Sequence, residues 1–212
     1  MRRRLLAAAA ACAAACPGTG KVVAQDRPIP LAAEVRLRHQ ILRGHGVTAF
    51  LLQIPPGQGT QMHRHDKDLL TVFISGGRTT AVFEGSPPKT DTVASGEVRY
   101  RTAGFAHSTR NDGSADFRTV LLEFDNPQGP SRPGAQGGLF CTDRFCVYDL
   151  TVQPGERLAG EGSAFFVPLG ETVIRDPSGH RHLQPDGSIW WGRYGWTNEG
   201  VHAARAIAIK TL

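Results

Sequence analysis

The stretch "HRHDKDLLTVFISGG", residues 63–77, decides how the chain is to be read. Two histidines one residue apart run into an apolar segment that two glycines close. In an extended chain residues i and i+2 project from one face, roughly 6.5–7 Å apart. His63 and His65 can therefore converge on a single ion, at about 2.1 Å each. The pair alone is weak evidence, because a His-x-His also suits a polar strand face. Its surroundings add to it. Gly57 lies six positions before His63, Gly76 closes the following strand, and "GEVRYRTAGFAHSTRN" (96–111) brings Gly96, Gly104, His107 and Asn111.

Outward from this stretch almost nothing has helical periodicity. Short runs rich in Val, Ile, Phe and Thr recur between Gly, Pro and Asp clusters: "VTAFLLQI", "LLTVFIS", "TTAVFE", "FRTVLLEF", "CVYDLTVQ", "AFFVPL", "SIWWGRY" and "ARAIAIKTL". With 25 Gly and 14 Pro, this spacing predicts an all-β barrel or sandwich. "DNPQGPSRPGAQGG" (125–138) has no periodicity and is expected to be a linker, so residues 126–139 divide the chain. The two sides repeat one another. "FLLQIPPG" (50–57) matches "YDLTVQPG" (148–155), and "NDGSADFRTVLLEF" (111–124) matches "NEGVHAARAIAIKT" (198–211).

These residues resemble the cupin superfamily. Its first motif is Gly, five residues, His-x-His, three or four residues, Glu, six residues, Gly. Its second is Gly, five residues, Pro-x-Gly, two residues, His, three residues, Asn. Gly57, His63, His65, Gly76, Gly96, Gly104, His107 and Asn111 fall on these positions, with Thr102 in place of the proline. The resemblance covers residues 45–125 closely and the rest through the repeat. It implies two jelly-roll β-barrels, residues 32–125 and 140–212, with His63, His65 and His107 as metal ligands inside the first.

The departure from the pattern carries as much information. The family's glutamate ligand falls at Leu69, which cannot bind a metal. Asp68 is adjacent but points the other way if the strand has begun. Gln61, two residues before His63, shares its face. These two are the candidates for a fourth ligand. Three neutral imidazoles leave a divalent ion its full charge and open positions, which suits an anionic or chelating substrate or a bound hydroxide. Three-His cupin sites without the glutamate resemble those of certain iron dioxygenases. Imidazole also accepts Zn, Mn, Ni and Cu, so the residues do not name the metal.

The second half repeats His-x-His as His180 and His182 in "GHRHLQPDG", but between turn signals, so a surface hairpin is expected. With Asn198 set against Asn111, Tyr194 takes the place of His107, and Glu161 and Ser163 those of His63 and His65. The second barrel is therefore expected to be degenerate and metal-free. The aromatics of "SIWWGRYGW" are expected in its core or interface.

The N-terminus, "MRRRLLAAAAACAAAC", has the layout of an export signal, with cleavage expected after Ala24. Lipoprotein anchoring at Cys16 and a twin-arginine route are alternatives. Removing Arg2, Arg3, Arg4 and Lys21 leaves 20 basic and 19 acidic residues, so the pI of about 9.3 is no argument for nucleic acid or a membrane surface. No later segment is apolar and long enough to cross a bilayer as a helix. Cys141 and Cys146 remain as an even pair, expected as a disulfide in an oxidising compartment. The expectation is a periplasmic or secreted protein, with a small-molecule ligand and with homodimerisation left open. It is either a metal-dependent, dioxygenase-like or Zn-type enzyme or a non-catalytic binding protein.

Overall fold

The computed structural model describes residues 29–126, 132–133 and 139–212; the expected export segment and most of the expected linker lie outside them. Apart from one 3-10 turn at Ala32–Glu34, the described residues form strands and loops. In chain order the first set is β1 (Arg38–Gly44), β2 (Val47–Ile54), β3 (His63–His65), β4 (Leu69–Phe73), β5 (Gly77–Phe83), β6 (Lys89–Val93), β7 (Val98–Arg101), β8 (Phe105–Asn111) and β9 (Phe117–Phe124). The second is β10 (Arg132–Pro133), β11 (Phe140–Cys141), β12 (Phe145–Val152), β13 (Ser163–Pro168), β14 (Thr172–Arg175), β15 (Arg181–Gln184), β16 (Trp190–Arg193), β17 (Thr197–Asn198) and β18 (Ala204–Thr211).

Each set makes one larger and one smaller sheet, with all strand pairs antiparallel. The first set gives β1-β2-β9-β4-β7 and β3-β8-β5-β6; the second gives β10-β11-β12-β18-β13-β16 and β15-β14-β17. The repeat legible in the sequence is thus a repeat of topology, because β2-β9-β4-β7 has the order of β12-β18-β13-β16, and β8-β5-β6 that of β17-β14-β15. It reaches individual hydrogen bonds. Asn111 Nδ2 donates to the carbonyls of Ile54 and Ala115, and its Oδ1 accepts from Gly113 N–H. Asn198 does the same with Val152, His202 and Gly200. Each asparagine satisfies three backbone groups at the turn before its long strand, a satisfaction that buried polar backbone requires.

In the first set, β3 has no counterpart in the second. In the second set the chain at 157–162 runs past β17 with a single bridge, Arg157 to Thr197. Gly160, at φ +139°, faces the ring of Tyr194 so closely that a Cβ there would collide with it. A bulky tyrosine where the first barrel has His107 therefore fills the space that β3 lines in the first.

Alternation along the strands partitions the core. Phe50, Leu52, Leu69, Phe73, Phe117 and Leu121 point into the first barrel. Phe166, Ile174, Trp196, Ala204 and Ala208 fill the second, with Trp190 and Tyr194 against them. A third cluster joins the larger sheets of both sets, with Val72, Val120, Leu122 and Phe124 packed on Phe145, Phe165, Val167, Ile207 and Ile209. Phe124 and Phe145 stack with centroids 4.9 Å apart. Trp191 joins this interface and stacks on His45 at 4.5 Å. The aromatic run therefore serves core and interface, as its composition implied.

Two residues inside the stretch expected to be linker, Arg132–Pro133, form β10 at the edge of the six-stranded sheet, paired with Phe140 and Cys141. A proline is tolerated there because an edge strand need not donate on its outer side. Cys141 and Cys146 are joined, at an S–S distance of 2.08 Å, across the β11–β12 hairpin. No helix among the described residues is long and apolar enough to cross a membrane.

Candidate metal centre

β3 is only three residues long, and its position is set by its neighbours. Its backbone pairs with β8, which puts His63 opposite His107 and His65 opposite Phe105. On its other side Arg64 N–H donates to the Pro30 carbonyl at 2.9 Å. The motif glycines hold the ends. Gly57, at φ +72°, begins the return with its N–H on the Asn111 carbonyl, and Gly104, at φ +90°, places its N–H on the His65 carbonyl. Both conformations belong to the left-handed region that glycine enters without a Cβ penalty.

The result is a cluster of His63, His65 and His107 in which one ligand nitrogen from each lies within 4.8 Å of the others. His65 Nε2 and His107 Nε2 are 3.2 Å apart. His63 Nδ1 is 2.8 Å from the Gln61 carbonyl. A carbonyl only accepts, so Nδ1 carries the proton and the Nε2 lone pair is free to bind. Burial holds the His63 imidazole down at a pKa of about 4, against the upward pull of that hydrogen bond. His107 is pushed lower, to about 2, first by burial and then by His63, His65, Arg101 and Arg38. Both rings are thus neutral at physiological pH, the form a metal requires.

Behind His65 stands a carboxylate that sequence reasoning did not single out. Glu123 Oε1 lies 3.6 Å from His65 Nδ1 and accepts from Arg38 Nη2 at 2.6 Å. Burial raises the Glu123 pKa, but His65 and the Arg38 charge outweigh it, and the net direction is down. At 3.6 Å this is no hydrogen bond, and His65 Nδ1 has no partner, but the nearby negative charge favours a proton on Nδ1 and leaves Nε2 to face the cluster. Glu123 is the direct cross-strand partner of Leu69. Where the motif expects a glutamate the chain has an apolar side chain, and the carboxylate stands one strand over.

The two candidates for a fourth ligand are placed elsewhere. Asp68 Oδ2 accepts from Tyr100 O–H at 2.7 Å and its Oδ1 from Ala103 N–H at 2.8 Å, so it fastens the β7–β8 turn to the start of β4. Gln61 has an exposed side chain and contributes through its carbonyl instead. The same-face expectation fails for Gln61 because the strand begins only at His63. Leu69 is buried and lines the same cavity as the histidines. His180 and His182 lie on the exposed β14–β15 hairpin, where Asp176 Oδ2 meets His182 Nε2 at 2.9 Å, far from this cluster in the fold.

The cavity measures about 200 Å³ and is walled by the inward residues of both sheets, apolar at Leu52, Leu69, Phe73 and Leu121. A signal for Glu123 was present in the sequence, as a lone charge inside the apolar run "TVLLEF". Arg38 carried none, because it stands in the charged stretch "RLRHQ".

With this geometry the chain has the fold of the cupin superfamily, in a two-barrel form whose second barrel lacks the histidine strand. Among solved structures it is similar to AerE from Microcystis aeruginosa, at 14% identity and a TM-score of 0.59, covering 84% of this chain and 98% of that one. A cupin 2 conserved barrel domain protein from Leptotrichia buccalis matches at 14% identity and a TM-score of 0.55, covering 85% and 90%. Ylba from E. coli matches at 14% and 0.55, covering 87% and 88%. No protein-family model matches the sequence. No curated relative matches it either.

Proposed function

We propose that the chain is an exported cupin that holds one divalent transition metal through His63, His65 and His107 and acts on a small molecule as a metal-dependent enzyme of dioxygenase type. The observation that carries this reading is the convergence of three imidazoles, two buried and one half-buried, with His63 and His107 held neutral. Such a donor set fits Fe, Zn, Mn, Ni or Cu, because all accept imidazole nitrogen. A redox-active ion would supply the electrons that oxygen chemistry needs, whereas Zn would supply polarisation for hydrolytic, isomerase or lyase chemistry. The residues of the chain do the rest. His63 is oriented by the Gln61 carbonyl, Glu123 sets a negative charge behind His65, and Leu52, Leu69, Phe73 and Leu121 keep water from the walls. Leu69 leaves open the direction from which a glutamate would otherwise reach the ion.

The test is elemental analysis of the purified full-length protein, with oxygen uptake measured against small organic acids. About one transition ion per chain is expected, lost in His63→Ala, His65→Ala and His107→Ala and retained in His180→Ala/His182→Ala. The reverse pattern would place the site in the wrong barrel. A metal-free protein that still binds a small ligand would favour a non-catalytic binding function.

A further inference from the structure

We infer that the second barrel binds a neutral sugar ring in the cleft left between its two open edge strands, β15 and β16. The site stands apart from the histidine cluster and needs no metal.

β15 and β16 each end a sheet and are not paired with one another. Register decides what they present to the gap. His182 stands opposite Ile174, Gln184 opposite Thr172, and Trp190 opposite Phe166. Directly opposed residues share a face, and Ile174 and Phe166 belong to the core of the second barrel. His182, Gln184 and Trp190 therefore turn inward from the two edges. Between them, with Asp176 and Arg193 also on its wall, is a cleft of about 470 Å³. That is within the range of about 300–1,000 Å³ usual for small-molecule sites, which favour the mouths of β-barrels. The His-x-His of β15 and the tryptophan run of β16, neither of which the metal centre uses, meet in it.

Trp190 stacks one side of its indole on Phe166, with centroids 5.2 Å apart. Gly192 makes room for the ring, since a Cβ there would lie 3.0 Å from Trp190 Cδ1 and Nε1. Trp190 Nε1 makes no hydrogen bond among the described residues and is open to solvent, unlike Trp196 Nε1 beside it. The half-buried Gln184 amide is likewise open and unused. Arg193 is exposed and makes no ion pair among the described residues. Acceptors stand beside these donors. Asp176 Oδ2 is 2.9 Å from His182 Nε2, and that contact, with the His180 and Ser178 N–H groups, holds the Asp176 carboxyl below its usual range. An ionised carboxylate only accepts, so in neutral His182 the proton is on Nε2 and Nδ1 is left as an acceptor.

The mixture selects the ligand. A carboxylate would use only the donors and an ammonium only the acceptors. A ring of hydroxyls uses both, because each hydroxyl gives one hydrogen bond and accepts others. Its C–H face, slightly positive, is complementary to the negative face of an indole.

Calorimetric titration of the full-length protein tests this, with the methyl glycosides of glucose, galactose, mannose and N-acetylglucosamine set against glucuronate and glucosamine. At least one neutral glycoside is expected to bind at millimolar concentrations or below, to shift the tryptophan emission, and to bind equally well after a chelator has removed the metal. Trp190→Phe keeps a ring on Phe166 but removes the N–H, and Gln184→Ala shortens a half-buried side chain at a sheet edge, so both variants are expected to fold. Each should weaken binding of the preferred glycoside about tenfold or more. Silence with all four glycosides, binding of the charged sugars alone, or undiminished affinity in both variants overturns the site. Binding that vanishes with the metal would put the sugar in the first barrel and overturns it equally.

Discussion

Leu69→Glu restores the carboxylate of the family pattern, and the structure says what it should cost. Residue 69 sits directly across from Glu123, where side-chain Cβ atoms lie about 5 Å apart. Two carboxylates at that distance repel by about 3 kcal/mol at an effective dielectric constant near 20. Proton uptake at pH 7 would cap the cost at about 3.7 kcal/mol, from an ordinary glutamate pKa of about 4.3. Leu69→Gln has the same length without the charge, so it separates lost packing from repulsion. Metal-free Leu69→Glu should be less stable than Leu69→Gln by about 3 kcal/mol, or roughly 6–12 °C in Tm for a chain of this size. A divalent ion at the histidine cluster turns repulsion into attraction. The gap should then close or reverse, and the metal Kd of the Glu variant should fall below that of wild type. Small acids, in contrast, should bind more weakly, having lost an open position and some positive field. The assay is differential scanning fluorimetry of the three proteins with and without metal, paired with metal titration. Equal Tm for the Glu and Gln variants without metal, together with equal metal affinity, would refute the placement of residue 69 beside the site.

Protonation of His63 and His107 should cost metal affinity almost nothing between pH 7 and 5, because they are held at about 4 and 2, whereas each at an ordinary 6.5 would weaken it about 25-fold; the total fall should therefore stay within about 25-fold rather than reach several hundredfold or more, which competition with a chelator at both values checks. The same depressed pKa values mean that the unfolded chain takes up protons first, so metal-free stability should fall as pH drops from 6.5 toward 4, by up to about 1.4 kcal/mol per unit for each histidine; denaturant unfolding at stepped pH would show no slope if the rings are not buried. Cys141 and Cys146 should resist a thiol reagent until reduced, and because the pair closes a loop of only five residues in sequence separation, reduction should cost about 2 kcal/mol. Asn198→Ala, far from the cluster, should lower stability by about 3 kcal/mol through three lost backbone hydrogen bonds while leaving metal content intact.

How far the fold was legible depended on where each strand lies. "VTAFLLQI" and "FRTVLLEF" became β2 and β9 to the residue, because both faces of these inner strands are buried and their sequences are almost continuously apolar. Of the strands that no apolar run announced, β1, β6, β7 and β15 stand at sheet edges, whereas the short β11 and β14 lie inside their sheets. The edge sequences, "RHQILRG", "KTDTV", "VRYR" and "RHLQ", are polar and charged. Charge on an edge discourages pairing with another chain, and it also hides the strand from any hydrophobic pattern. The three histidines were legible because motif spacing encodes β3 against β8. Arg38 and Glu123 were not, since their meeting depends on the register of β1, β2 and β9, which no local pattern specifies.

The apolar layer between the two larger sheets has a consequence for how the molecule can be divided. Val72, Val120 and Leu122, completely buried there, are on the same strands that carry Leu69, Thr119 and Glu123 toward the histidines. Cutting the chain between the barrels would strip this layer from both halves and expose a flat hydrophobic face on each. Each half would be driven to aggregate or to find a copy of itself. The second barrel, which has no histidine strand, is the apolar backing against which the walls of the first barrel pack. Heat should melt the two as a single cooperative body, and damage to the second barrel should be felt at the histidine cluster.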